Sequence, residues 1–347
     1  MKHEHFMERA LELAQKSEGY VSPNPMVGCV LVHNNKIIGE GWHKKYGEAH
    51  AEVNAVNSVI DKPLLPFATA YVSLEPCSHF GKTPPCADLL IKEGVKKVVI
   101  CNTDPNEKVN GSGIQKLKNA GLEVVTGILK SKGSYLNRRF FKSQTSKRPY
   151  VTLKWAESAN GCAASSDGKP VSISGDFAQL HSHKWRATED AIMVGSQTIL
   201  NDNPSLTTRH WKGRNPIRVV LFPDIDIKAK YRVLDQNIKT YVFNKSHSLI
   251  NGNLEFIKIS VNSNILDFIL KELHSRDITS LMVEGGPRLH QMFIESNFYD
   301  EIRVFKSKKL IIPEGLNAAQ IPKNLLEIEN IDLGTDFLRI FSREFQP

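Results

Sequence analysis

A rhythm in the chain constrains its fold most. From Met26 to about Ile128, apolar runs of strand length alternate with stretches whose apolar residues recur at helical spacing. That is the pattern of a sheet covered by helices. Phe6, Ala10, Leu13 and Ala14 share one face of a first helix over 6–17. MVGCVLVHNNKIIGEGWH reads as a hairpin turning at Asn34-Asn35, where a two-residue turn is expected. Next come a helix over about 49–60, strand TAYVSLE, a helix over 84–93, strand KKVVICNT, a helix ending at Ala120-Gly121 and strand LEVVTGI. Gly94 and Gly121 fall where helix C-terminal caps belong.

KSQTSKRP, residues 142–149, is polar and basic with no apolar period, and reads as a linker. A second α/β series starts at YVTLKWA. It contains strand candidates DAIMVGS, IRVVLF, KTYVF, EFIKIS, SLMVEGG and EIRVFKSKKLII, and helices over 177–185, over 265–275 and from Pro287. A length of 347 residues suits two domains. Their expected extents are 1–145 and 149–347.

Composition narrows the class. No apolar run approaches the roughly 18–20 residues of a membrane-spanning helix, and the N-terminus lacks the apolar centre of a secretory signal. Five cysteines, an odd number, do not make a disulfide framework. A cytoplasmic protein without a membrane partner is expected. The net charge of +8 allows an anionic partner, although a solvated lysine-biased surface gives the same number.

The chemistry is concentrated in two short stretches, HAEVNAVNSVI from His50 and EPCSHFGKTPPC from Glu75. A catalytic zinc site takes about three protein ligands and leaves one position for water, whose pKa it brings to around 7. His50, Cys77 and Cys86 supply suitable ligands, and Glu52 a carboxyl free to carry protons. This order matches the H-x-E…P-C-x-x-C signature of zinc deaminases, apart from a longer gap between the cysteines. Cys77 ends a strand and Cys86 opens a helix, with Pro85 near the first helical position. The helix dipole there favours a thiolate. Singly, a His-x-Glu pair or two spaced cysteines mean little; together, at strand-to-helix junctions, they point to one metal centre.

EPCSHFGKTPPC, with NPMVGCV upstream and GEGWHKKYGEAHAEV between, resembles the bifunctional riboflavin-biosynthesis deaminase–reductases, and the resemblance covers nearly the whole chain. It implies a cytidine-deaminase-like three-layer α/β/α domain followed by a dihydrofolate-reductase-like α/β domain. It also implies a diaminopyrimidinone substrate carrying a 5-phosphoribosylamino group, with Zn2+ and NADPH as cofactors. Asn24 and His43 match substrate-binding positions. His79 and Lys82 are within reach of a phosphate, and Asp104 and Asn106 border the same pocket.

In the second half, HKWRATEDAIMVGSQTILNDNPSLTTR matches the family's reductase segment. By resemblance, Thr198 and Asp202 contact NADPH, as does the turn Gly286, Pro287, Arg288 and Leu289. Arg186 and Arg209 hold the substrate phosphate, for which a guanidinium fork is suited. Leu206 lies at a substrate position, Glu284 lies near the ribose, and Lys154 lines the site. No G-x-G-x-x-G follows any strand. The chain departs from the family at SANG (158–161), usually SLDGK, and at KPVSISG (169–175), where an aromatic residue is expected. Two other readings follow from the sequence: a deaminase with a degenerate reductase domain, and an RNA-binding deaminase suggested by NRRFFKSQTSKRP. The leading expectation is a homo-oligomeric enzyme for a phosphorylated small molecule, not nucleic acid.

Overall fold

The computed structural model describes residues 3–78, 84–106, 110–223, 231–260 and 264–343. The chain divides into two compact units, Met1–Ser146 and Lys147–Gln346.

The first unit contains α1 (His3–Gln15), β1 (Gly28–His33), β2 (Lys36–Trp42), α2 (Ala51–Ser58), β3 (Thr69–Leu74), α3 (Cys86–Lys92), β4 (Lys97–Asn102), α4 (Ser112–Asn119), β5 (Glu123–Thr126), α5 (Lys130–Leu136) and α6 (Arg138–Ser146). Its sheet runs β2-β1-β3-β4-β5. β1 is antiparallel to both neighbours, while β3, β4 and β5 are parallel. Alternation along the strands builds three layers. Cys29, Leu31, Ala70, Val72, Val98 and Ile100 meet α2, α3 and α4 on one face. Val30, Val32, Tyr71, Val99 and Cys101 meet α1 on the other. The hairpin turns at Asn34 and Asn35, with φ of 47° and 61°. α2 lies directly on the backbone of β2: a Cβ on Gly41 would fall 2.2 Å from the Ala55 nitrogen.

The linker expected over 142–149 is a correction. Lys142–Ser146 continue α6, with Phe140 and Ser143 buried. The apolar pair of this helix, Phe140-Phe141, precedes the stretch, so residues 142–146 read alone show no period. The break comes at Lys147, whose φ is 51°, and Pro149 disfavours helical backbone at Arg148.

The second unit contains β6 (Tyr150–Glu157), β7 (Cys162–Ser165), α7 (Asp176–Thr188), β8 (Ala191–Gly195), α8 (Ser196–Asp202), β9 (Ile217–Leu221), β10 (Thr240–Asn244), β11 (Leu249–Asn251), β12 (Leu254–Lys258), α9 (Ile265–Ser275), β13 (Ser280–Val283), α10 (Pro287–Glu295), β14 (Glu301–Ser307), β15 (Gly315–Asn317), β16 (Leu326–Asp332) and β17 (Asp336–Ser342). The large sheet runs β11-β12-β10-β9-β8-β13-β6-β14-β17-β16, and β15 pairs with β7 in a small one. From β12 to β14 all pairs are parallel. Parallel strands need both faces covered: α9 and α10 pack on one, α7 and α8 on the other. Among the described residues no helix is long and apolar enough to cross a membrane.

Candidate active sites

In the first unit two helix N-termini converge. His50 is the N-cap of α2 in extended backbone, and Glu52, in the first turn, is buried. Cys86 is the first residue of α3, so Pro85 stands at the N-cap, one position before the sequence reading put it. His50 Nδ1 lies 3.3 Å from Cys86 Sγ and 3.6 Å from Cys77 Sγ. The Cys86 backbone N–H donates to Cys77 Sγ at 3.3 Å. The ligand atoms of all three residues lie within 4.8 Å of one another.

Electrostatics suit a cation there. Hydrogen bonds from Cys86 and from His50 hold the Cys77 thiol down at about 4, against the effect of burial. Cys86 is pushed up by its hydrogen bond to Cys77 and by burial. Burial, then the charge of Cys77, raises the Glu52 carboxyl to about 7. Soft sulfur plus imidazole is a donor set that zinc accepts. The described residues place no fourth protein ligand in the cluster.

Around this centre the loops are tied down from a distance. His43 is buried, and its Nδ1 lies 3.2 Å from the Ala49 carbonyl oxygen, which makes that nitrogen the donor. Nε2 is then the acceptor for Asn24 Nδ2 at 3.1 Å. Burial lowers the His43 pKa, consistent with a neutral ring. Asn137 fixes the Asn24 loop by pairing with both backbone groups of Met26, each at 2.8 Å. Asp104 is buried and its Oδ1 accepts the Asn106 backbone N–H at 2.8 Å. His79 and Lys82 lie outside the described residues. Sequence reasoning missed Asn137 and also Glu75, whose carboxylate accepts four backbone N–H groups from beyond β4. The only signal for Glu75 is its place beside Pro76-Cys77.

In the second unit Glu284 follows β13, and its backbone N–H donates to the Met193 carbonyl of β8 at 2.9 Å. Arg186, on α7, grips the Glu284 carboxylate with Nε at 2.9 Å and Nη2 at 2.7 Å. Its Nη1 donates to the Thr207 carbonyl at 3.1 Å. Lys154 Nζ, from β6, lies 3.6 Å from the same carboxylate. Burial pushes Glu284 up, but Arg186 and Lys154 outweigh it and hold the carboxyl at about 2. Burial lowers the Lys154 ammonium. Arg186 is paired with Glu284, whereas Arg209 is exposed with Nη1 3.2 Å from Thr207 Oγ1. His183, missed in the sequence, accepts the Arg209 backbone N–H at Nδ1 (3.0 Å). Leu206 has its side chain in the core at φ 53°.

Two strand-to-helix turns adjoin at the carboxyl ends of β8 and β13. Among the described residues, a Cβ on Gly286 would meet within 4 Å only Thr198 Oγ1, at 3.9 Å, and one on Gly195 only Leu289, at 3.8 Å. Gly286 is the N-cap of α10 and Pro287 sits in its first turn. Arg288 is exposed and Leu289 buried, while Asp202, also exposed, ends α8. Bare backbone at a helix start suits a dinucleotide phosphate. The SANG departure is well satisfied: Asn160 Nδ2 donates to the Ile312 carbonyl at 2.9 Å, and its Oδ1 accepts the Ile312 N–H at 3.1 Å. KPVSISG is irregular backbone, with Val171 exposed.

Fold and sites together define a two-domain enzyme, with a His/Cys/Cys metal centre in the first domain and a dinucleotide-type turn at a helix start in the second. Residues 1–102 match the family model of the cytidine and deoxycytidylate deaminase zinc-binding region, and residues 149–311 that of the RibD C-terminal domain. The riboflavin biosynthesis protein RibD of Aquifex aeolicus is 38% identical over 97% of this chain and 98% of its own length. That of Escherichia coli is 34% identical, over 93% of this chain and 92% of its own. A crystal structure of a diaminohydroxyphosphoribosylaminopyrimidine deaminase/5-amino-6-(5-phosphoribosylamino)uracil reductase from Thermotoga maritima superposes with a TM-score of 0.87 at 37% identity, covering 98% of each chain. Acinetobacter baumannii RibD superposes at 0.89 with 31% identity, again over 98% of each. The chain belongs to the RibD family of bifunctional riboflavin-biosynthesis enzymes.

Proposed function

We propose that the deaminase unit removes ammonia from 2,5-diamino-6-(5-phosphoribosylamino)pyrimidin-4-one and that the reductase unit then converts the ribosyl group of 5-amino-6-(5-phosphoribosylamino)uracil to a ribityl chain. The observation that carries the first step is the convergence of His50, Cys77 and Cys86 within 4.8 Å beside the buried Glu52. His50, Cys77 and Cys86 would hold zinc, which supplies Lewis acidity and brings the pKa of water to around 7. Glu52, not a ligand, takes the proton from the attacking water at its carboxylate. It passes that proton to the ring nitrogen and then moves the hydroxyl proton to the departing amine, so the C–N bond breaks and ammonia leaves as the carbonyl forms. Asn24 orients the pyrimidine and His43 orients Asn24. Asp104 and Asn106 border the substrate, and His79 and Lys82 are assigned to its phosphate.

In the reductase unit, Thr198, Asp202 and the turn Gly286, Pro287, Arg288 and Leu289 would hold NADPH, which supplies the hydride. Arg209 binds the substrate phosphate. Glu284 and Lys154 face the opened ribosyl group, and Arg186 keeps Glu284 ionised and oriented. Leu206 contributes packing and its backbone. The enzyme acts in the cytoplasm as a homo-oligomer on a phosphorylated small molecule.

Glu52→Gln tests the proton-carrying role. The variant is expected to keep its zinc and lose deamination by about 10²–10⁴-fold. Zinc loss, or ammonia release at the parent rate, contradicts the assignment.

A further inference from the structure

Glu75 sits between the end of β3 and the ligand Cys77, and its side chain is 4% exposed. Its Oε2 accepts the backbone N–H groups of Asp104 (3.2 Å) and Gly111 (3.0 Å), and its Oε1 those of Gly113 (2.9 Å) and Ile114 (3.1 Å). Four donors around two oxygens suit an ionised carboxylate, and an amide side chain cannot satisfy them all. α4 has Gly111 as its N-cap and no side-chain cap of its own. Glu75 supplies that cap from 36 residues away in sequence, where a negative charge also complements the helix dipole. The same carboxylate fixes Asp104, whose Oδ1 in turn accepts the Asn106 N–H.

Further contacts bind this region to the metal-ligating turn. A Cβ on Gly113 would fall 2.1 Å from the Pro76 carbonyl oxygen, so the first turn of α4 lies against the Pro76-Cys77 peptide. Ser78 Oγ and Ser112 Oγ are 2.6 Å apart.

We infer that Glu75 is a positioning residue that holds the Asp104–Asn106 segment in register with the metal-ligating turn, and so sets how tightly the deaminase binds its substrate. The inference rests on the proposed placement of Asp104 and Asn106 at the pyrimidine substrate. Glu75 touches neither the metal ligands' donor atoms nor Glu52 in any hydrogen bond described above. Its loss therefore acts on substrate binding before it acts on the chemistry.

The test uses the full-length, zinc-loaded protein. Glu75→Gln turns an NH2 toward two backbone donors. It is expected to raise the deaminase KM about tenfold or more, with kcat changed by less than about threefold. Zinc content and the reductase KM serve as internal controls. Amide exchange at Asp104, Gly111, Gly113 and Ile114 is expected to speed up in the same variant. Glu75→Asp keeps the charge but withdraws it by one methylene, and is expected to fall between parent and Gln. It provides the measurement should Gln damage the unit as a whole. Asp104→Ala separates the two levels of the argument. If it raises KM, the double variant with Glu75→Gln should be worse than Asp104→Ala alone by less than the full Glu75→Gln effect, because only the Asn106 contact is left to lose. An Asp104→Ala KM equal to the parent's overturns the substrate assignment and this inference with it. A normal KM in Glu75→Gln beside a raised one in Asp104→Ala overturns the role of Glu75 alone, as does a Glu75→Gln loss confined to kcat or to zinc.

Discussion

Gly41→Ala probes how rigidly the catalytic helix is seated. A methyl group at this position of β2 would fall 2.2 Å from the Ala55 nitrogen and 2.5 Å from the Ala51 carbonyl oxygen, both backbone atoms of α2. Ordinary contact begins near 3.4 Å, so the helix must retreat by about 1 Å or the strand must bow by as much. Overpacking of this kind costs about 1–3 kcal/mol. The larger effect falls on function, because α2 carries His50 at its N-cap and Glu52 in its first turn. A misplacement of about 1 Å can cost a hundredfold in rate. The variant is expected to fold, to melt several degrees lower in its deaminase unit, and to deaminate about 10²-fold more slowly. Ammonia release reads the first activity and metal analysis the zinc content. NADPH oxidation, with the deaminated intermediate supplied, reads the second, which should stay at the parent value. A Gly41→Ala protein that deaminates at the parent rate with full zinc refutes the claim that this close contact sets the catalytic geometry.

Arg209→Ala should raise the reductase KM by at least tenfold and leave deamination alone; equal damage to both activities contradicts its assignment to the reductase phosphate. Glu284 gives a pH signature. Its carboxyl is held at about 2 against an unfolded value of about 4.3, so its contribution is present above pH ~4.3 and is lost as pH falls through about 2. Acid denaturation followed by tryptophan fluorescence should show the parent losing about 3 kcal/mol over that window, a loss missing from Glu284→Gln; identical acid slopes for the two proteins contradict the ion-pair account.

Local features were the legible ones. Asn34-Asn35 marks its own turn, and φ of 47° and 61° is what such a turn demands. His50, Cys77 and Cys86 announce themselves because each lies at a strand or helix terminus with a recognisable neighbour, and the structure brings the three together. Illegible were the anchors that work across the chain. Glu75 binds amides 29 to 39 residues away, Asn137 pairs with Met26 over 111, and His183 holds the Arg209 backbone. Backbone donors carry no side-chain signature, so nothing in the sequence marks their partners. The resemblance puts Arg186 at the substrate phosphate; its pairing with Glu284, 98 residues on and 2.7 Å away, is a contact that only the fold supplies. α6 hid because its aromatic pair, Phe140-Phe141, lies in its first turn, and the polar residues 142–146 read by themselves show no period.

The central claim is that one chain performs both reactions in order. Purified, zinc-loaded protein given the phosphoribosyl diaminopyrimidinone and NADPH should release one ammonia and then consume one NADPH per substrate, with chelation of the zinc abolishing both. Ammonia without NADPH oxidation would contradict the reductase half, and zinc-loaded protein that releases no ammonia would contradict the account at its root.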